Sequence, residues 1–274
     1  MIFAKERERV RNATRAIRDL MVRPGRDLQA GGDVVMGTGL QALAQIAVAP
    51  LRFVPDLAMR VPDTLRELGE RVAAIPGAQR RAPAVGFAAA ALAGGVRNPP
   101  ALRERYLNLL ASAMDGARAD RVHPAFLQVL RQMTADEVRV VSLFQHDGPY
   151  PVVSVQARYK VGGALGTELR NFSLLGETAG CEHPERAPLY IDNLCRLGIA
   201  ELRPTRVSDD PRVFRAVEQH PDVVAAVARI EARTPALGRS TDAIVADVQR
   251  KALFVTAFGR QFYEACEYRP EPPR

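Results

Sequence analysis

No tryptophan occurs among the 274 residues, and the aromatic content is 6%. A surface that grips single-stranded nucleic acid by stacking its bases needs a row of aromatic platforms, so that class of function has little support. Lysine is scarce as well: Lys5, Lys160 and Lys251 are the only three, and the formal net charge of +7 rests on arginine. A basic balance favours acidic partners such as nucleic acid or anionic lipid, although an arginine-rich, lysine-poor composition also follows from a GC-rich genome without any ligand. Cysteine is limited to Cys181, Cys195 and Cys266, an odd number without a CxxC pair. That suits reduced thiols and a cytoplasmic protein better than a secreted disulfide framework.

Long apolar runs are missing too. The opening "MIFAKERERVRNATRAIRDLM" alternates charges where a signal peptide needs an apolar stretch, so export by that route is not expected. Its Phe3, Val10, Ile17, Leu20 and Met21 recur near helical spacing, with Arg7, Arg11, Arg15 and Arg18 elsewhere, which predicts a basic amphipathic helix. The uncharged run from Val34 to Leu51 contains Gly37, Gly39, Gln41 and Gln45 and closes at Pro50, which makes it a poor transmembrane span. "APAVGFAAAALAGGV", from Ala82 to Val96, is too short to span, and its small residues let helices approach closely, as in a buried helix. Between the two, "VPDTLRELGERVAAI" sets Val61, Leu65, Leu68, Val72 and Ile75 on one side of a helix. Residues 1–97 are expected to form a helical region, and residues 1–96 are the part that could touch the inner membrane peripherally.

What is present is an ordinary core: 47% of residues are hydrophobic and 25% charged, enough for one large or two small folded domains. Asn98, Pro99 and Pro100 read as a helix start with Asn98 as the cap, followed by Leu102, Tyr106, Leu109, Leu110 and Ala113 on one face. "HPAFLQVL" predicts another short helix, and "TADE" offers a capping box between Thr134 and Glu137 for a helix carrying Val138, Val141 and Phe144. Beyond Pro149 the period changes to two. Val153, Val155, Ala157, Tyr159 and Val161 alternate with Ser154, Gln156, Arg158 and Lys160, "GGALG" turns, and "TELRNFSLLG" returns as a second strand.

Pro188 opens a helix that ends at Gly198, and "IAELRP" follows as a short strand. "DPRVFRAVEQHPDVVAAVARIEAR" predicts two short helices, and "KALFVTAFGRQFYEAC" a strand and a helix capped at Thr256. The order of helix, strand, excursion, strand and helix is winged-helix-like, with an enlarged wing. Residues 98–274 are therefore expected to form an α+β domain with such an end. Together with the N-terminal region the protein is mainly α, and Leu194, Leu197, Ile199, Phe258 and Phe262 are candidate core anchors.

Candidate chemistry is thin. Cys181, His183, Cys195 and Cys266 contain the residue types of a Cys3His zinc site, but a single residue separates Cys181 from His183, and Cys195 and Cys266 fall at apolar helical positions, so no metal is expected. His123 and His220 each precede a proline at a helix start, where capping is the default, and His146 with Asp147 follows a helix end. GxSxG, HExxH and Walker sequences do not occur, so no residue is nominated as catalytic and no cofactor is implied. The glycines of "GGALG" are not followed by the helix that a phosphate cradle requires. For nucleic acid, the helix from Pro188 to Leu197 buries Tyr190, Leu194 and Leu197 and leaves Arg186, Asn193 and Arg196 as donors, with Arg158 and Lys160 on the strand, while Asp192 would repel phosphate.

Five segments in order, "LLASAMD" (Leu109 to Asp115), "HPAF" (His123 to Phe126), "NFSLLGE" (Asn171 to Glu177), "YIDNLCRLGI" (Tyr190 to Ile199) and "VTAFGRQFYEAC" (Val255 to Cys266), resemble the Abi-alpha family, the abortive infection alpha proteins of bacteria. The resemblance implies a role in defence against phage in which the infected cell is sacrificed or stalled. It supplies no catalytic residue. The long wing and the alanine-rich segment before Arg97 depart from it. Three readings stand side by side: a non-enzymatic defence protein that binds a protein or nucleic-acid partner, a winged-helix DNA-binding regulator, and a membrane-acting effector working through the N-terminal helices, with self-association open to each.

Overall fold

A computed structural model describes residues 55–146, 148–204, 211–233 and 243–268. The basic helix expected before Arg23 and the uncharged run from Val34 to Leu51 lie outside these residues. The described chain is α+β, and it divides into two units: residues 55–138 with 261–268, and residues 139–260. Asn98 falls inside the first unit.

The first unit is helical. Helix α1 (Pro55–Ala73) buries Val61, Leu65, Leu68 and Val72, and α2 (Val85–Arg97) packs against α3 (Pro100–Met114). Gly94 is what permits the close approach of α2 to α3: a methyl group there would overlap the buried Tyr106 ring. Asn98 does not cap α3. Its side-chain NH2 donates to Gly94 O at 2.8 Å and closes the end of α2, while Pro99 and Pro100 start α3 without a side-chain cap. Proline can do so because its missing N–H is one of the donors a helix start leaves unsatisfied. Short helices α4 (Phe126–Arg131) and α5 (Ala135–Val141) follow. Before α5 the capping box forms, with Thr134 N–H donating to Glu137 Oε2 at 2.6 Å and Glu137 N–H donating to Thr134 Oγ1 at 3.3 Å.

Helix α3 also carries a polar stripe that the apolar pattern hides. Arg105, Asn108 and Ser112 are buried and spaced to share one face. Asn108 Nδ2 donates to Cys266 O at 2.9 Å, Ser112 Oγ to Ala265 O at 2.8 Å, and Arg105 meets Glu267 at 2.5 Å. These side chains satisfy carbonyls that the C-terminus of the last helix, α10 (Ala257–Cys266), would otherwise leave orphaned.

The second unit is built on one antiparallel sheet of order β2-β1-β4-β3. The strands are β1 (Tyr150–Tyr159), β2 (Ala164–Phe172), β3 (Ala200–Pro204) and β4 (Ile244–Val255). Between them lie α6 (Leu175–Thr178), α7 (Ala187–Arg196), α8 (Pro211–Glu218) and α9 (Pro221–Glu231). Val153, Val155 and Ala157 pack on one face with Phe214, Val217, Val223, Ala226 and Ile230 of α8 and α9. The other face carries α7. Two features correct the simple alternation expected of β1: Ser154 is buried, while Tyr159 and Val161, on the apolar side of that pattern, are exposed. The return strand also starts earlier than expected, inside "GGALG" at Ala164. Among the described residues no helix is long and apolar enough to cross a membrane.

Helix α10 starts where Thr256 Oγ1 accepts the N–H of Gly259 at 2.9 Å and lies 2.5 Å from Gly198 O. A β-carbon on Gly259 would run into the backbone carbonyl of Ile199. We therefore expect Gly259→Ala to lower stability by about 2 kcal/mol or more, measured by chemical denaturation. Gly69→Ala, in α1 with open space around it, should raise stability by about 0.5–1 kcal/mol through helix propensity.

A second expectation concerns pH. Hydrogen bonds from Arg229 and then Arg233 hold the Glu168 carboxyl below its ordinary value. A carboxyl shifted downward adds stability above its unfolded-state pKa, and that contribution fades as pH falls through the folded-state value. Glu168→Gln should therefore lower the urea midpoint at pH 7, and the gap from wild type should close on acidification below about pH 4.

Candidate functional site

Helix α7 is short, and three local devices define it. Pro188 sits in its first turn. The Tyr190 hydroxyl donates to His183 O at 3.0 Å, which ties the helix to the turn before it. At the other end Gly198 adopts φ 73°, and Leu197, Gly198 and Ile199 donate to the carbonyls of Asn193, Cys195 and Leu194. That is a left-handed termination, which glycine accepts without a side-chain clash. The inward side carries Tyr190, Ile191 and Leu194, all buried.

The outward side is a stripe of Leu189, Asn193 and Arg196, preceded by Arg186 in the turn that enters the helix. Their spacing of three, four and three residues keeps them on one line. Leu189 is 66% exposed at its middle. Arg196 donates through Nε and Nη2 to Asn193 Oδ1 at 2.9 and 2.7 Å, and Arg186 approaches Glu185 at 3.8 Å. The stripe is thus an aliphatic side chain flanked by guanidinium groups.

Beneath α7 lies a polar cluster that nothing in the sequence pattern singled out. Lys251 Nζ on β4 donates to Asn171 Oδ1 at 3.0 Å and to Ser154 Oγ at 3.2 Å. Asn171 N–H donates to Ser154 Oγ at 3.0 Å, and Asn171 Nδ2 donates to Asp192 Oδ1 of α7 at 2.9 Å. Arg170 Nη2 stands 3.3 Å from Asp192 Oδ2. Asn171 has φ 49° within a stretch where the β1–β2 register shifts, a left-handed conformation that asparagine tolerates better than most residues. The extra residue of the bulge turns the Asn171 side chain toward α7. A serine beside a lysine has the composition of a nucleophile with its base, but Ser154 is 1% exposed and its oxygen is engaged by two donors. The cluster holds α7 to the sheet and fixes the direction in which its outer stripe faces.

Arg158 and Lys160 do not join that stripe. They lie toward the open end of β1, and Arg158 is four residues beyond Ser154, about 13 Å along the strand. The predicted anchors divide by burial: Leu194, Ile199 and Phe262 are buried, while Leu197 and Phe258 are half-buried.

The histidines have local partners. His123 Nδ1 accepts the Ala125 N–H at 3.1 Å, and His220 Nδ1 accepts the Asp222 N–H while its Nε2 meets Glu177 at 3.2 Å. The backbone carbonyl of His146 accepts the Tyr150 hydroxyl, His183 pairs with Glu185 at 3.3 Å, and Asp147 is outside the described residues. Burial pushes the thiols of Cys195 and Cys266 above the ordinary range, which disfavours the thiolate that a metal would need. Among the described residues no three of His, Cys, Asp and Glu form a group that could hold a metal ion.

Comparison with solved structures returns an uncharacterized protein from the hydrocarbon-degrading marine bacterium Alcanivorax borkumensis SK2, at 17% identity and a TM-score of 0.34, covering 55% of this chain and 94% of that one. No curated protein matches. The model of the abortive infection alpha family matches residues 58–266. That span takes in both units, from α1 to the end of α10, and the chain belongs to the abortive infection alpha family.

Proposed function

We propose that this protein is a bacterial phage-defence protein of the abortive-infection kind, and that it acts by binding a protein partner through the outer face of α7. Family membership supports the defence role. The observation that carries the binding mode is Leu189, two-thirds exposed at the centre of a line of Arg186, Asn193 and Arg196. An exposed aliphatic anchor flanked by two guanidinium groups suits a shallow apolar pocket with an acidic rim.

The same face supports the winged-helix DNA reading less well. In that reading α7 is the recognition helix, and β3 with β4 form the wing. A major-groove helix needs donors and acceptors aimed at base edges, whereas Leu189 offers only an apolar contact to a thymine methyl. Asp192 is held on the sheet side by Asn171 and Arg170, and Arg196 already bonds Asn193.

The test is phage plaquing on cells expressing the full chain, with bacterial growth followed at high phage dose. Protection accompanied by collapse of the infected culture is expected. Leu189→Asp should abolish it, with unchanged expression and melting temperature, because Leu189 contributes little to the core. Arg196→Glu should weaken it. Protection that survives Leu189→Asp at full strength would remove α7 as the contact. Affinity for duplex DNA that falls steeply with salt and is lost in Arg196→Ala would favour the regulator.

A further inference from the structure

The β1–β2 hairpin ends in side chains that a solvated loop would not carry. Tyr159, Val161 and Leu165 are 40%, 70% and 45% exposed. The backbone beneath them is well tied: Tyr159 N–H donates to Gly163 O at 3.2 Å, and Lys160 N–H donates to Ala243 O at 2.8 Å. Arg158 and Lys160 are exposed beside the apolar residues. No acidic residue occurs from Ala157 to Thr167. The next residue, Glu168, is taken up by Arg229 at 2.8 Å and Arg233 at 2.5 Å, and Asp247 faces Gln156 one rung below Ala157. Among the described residues the tip is therefore an apolar point beside two exposed cations.

We propose that the hairpin tip from Tyr159 to Leu165 inserts into the surface of an anionic lipid bilayer. Val161 and Leu165 enter the boundary of the acyl chains, Tyr159 lies at headgroup level with its hydroxyl toward water, and Arg158 and Lys160 extend their aliphatic stems alongside and meet the phosphates. Charge complementarity selects this occupant, and so does shape. Nucleic acid would match the two cations but would leave Val161 and Leu165 in water, because aliphatic side chains offer bases no stacking plane. A stable protein partner buries about 800 Å² on each side, more than a projecting tip of seven residues readily supplies. A bilayer closes around a small convex point and gains from each apolar group that enters it. This surface is separate from the face of α7 and goes beyond the partner-binding reading.

The experiment uses the full chain. Because the protein has no tryptophan, Val161→Trp introduces a sole indole at the tip, and its emission reports that point whatever the rest of the chain does. With vesicles of two parts phosphatidylcholine to one part phosphatidylglycerol, the emission should shift to the blue and be quenched by brominated acyl chains. With phosphatidylcholine alone it should stay as in buffer. In the native background, Val161→Asp with Leu165→Asp should lower co-sedimentation with the anionic vesicles about tenfold or more. Arg158→Gln with Lys160→Gln should lower it about twenty-five-fold, near fivefold for each charge lost. All these positions are exposed, so circular dichroism and melting temperature should match wild type.

Three outcomes would overturn the proposal: an indole that stays in water while the chain pellets with vesicles, an Asp pair that pellets like wild type, or an emission shift given by duplex DNA and not by vesicles. Loss of phage protection in Leu189→Asp leaves the vesicle result unchanged, so failure of one reading is distinguishable from failure of the other.

Discussion

The carbonyl groups of Gly198 and Ile199 join two distant stretches of the second unit. Ile199 O accepts the Thr256 N–H at 3.1 Å, the Thr256 hydroxyl reaches Gly198 O, and Gly259 leaves room for the Ile199 carbonyl. Each partner has a second task. Gly198 ends α7, Ile199 is buried just before β3, and Thr256 follows β4 and caps α10. The turn from α7 into β3 and the turn that follows β4 therefore share a few backbone groups. The "RLGI" and "TAFG" pieces of the sequence are two halves of one contact. They meet although they are more than fifty residues apart.

Elements whose cause is local were legible from the sequence. Thr134 and Glu137 announce their helix because both partners of the capping box lie within four residues, and Thr256 and Gly198 announce theirs by the same logic. The two short helices after Pro211 follow from their prolines and apolar spacing. Asn98 was misread for a local reason as well. It stands between two helices, its side chain can serve either, and only the geometry shows that Gly94 O receives it.

What remained hidden has partners far along the chain. Lys251, Ser154 and Asn171 meet across separations of 97, 80 and 17 residues. No periodic pattern connects them, and a polar residue inside a strand reads by default as a solvent-facing position. The stripe on α3 shows the same effect in a helix. Arg105, Asn108 and Ser112 look like a wet face until the carbonyls of Ala265 and Cys266, more than 150 residues away, come to lie against them. The outward stripe of α7 was partly visible: Arg186, Asn193 and Arg196 follow from helical spacing, but Leu189 could not be told from a core residue without the burial of its neighbours.

The pairing of β1 with β4 has a consequence for synthesis. It runs the full length of β1, from Tyr150 against Leu253 to Tyr159 against Ile244, and Gln156 and Gln249 are joined across 93 residues. A strand can be matched only after its partner has left the ribosome. While roughly the next hundred residues are being added, a process of several seconds or more, β1 therefore has one edge open and the valines of both faces incompletely covered. Through that interval the nascent chain displays the template that strand-seeking chaperones and aggregation nuclei recognise, and the sheet can close only late in translation.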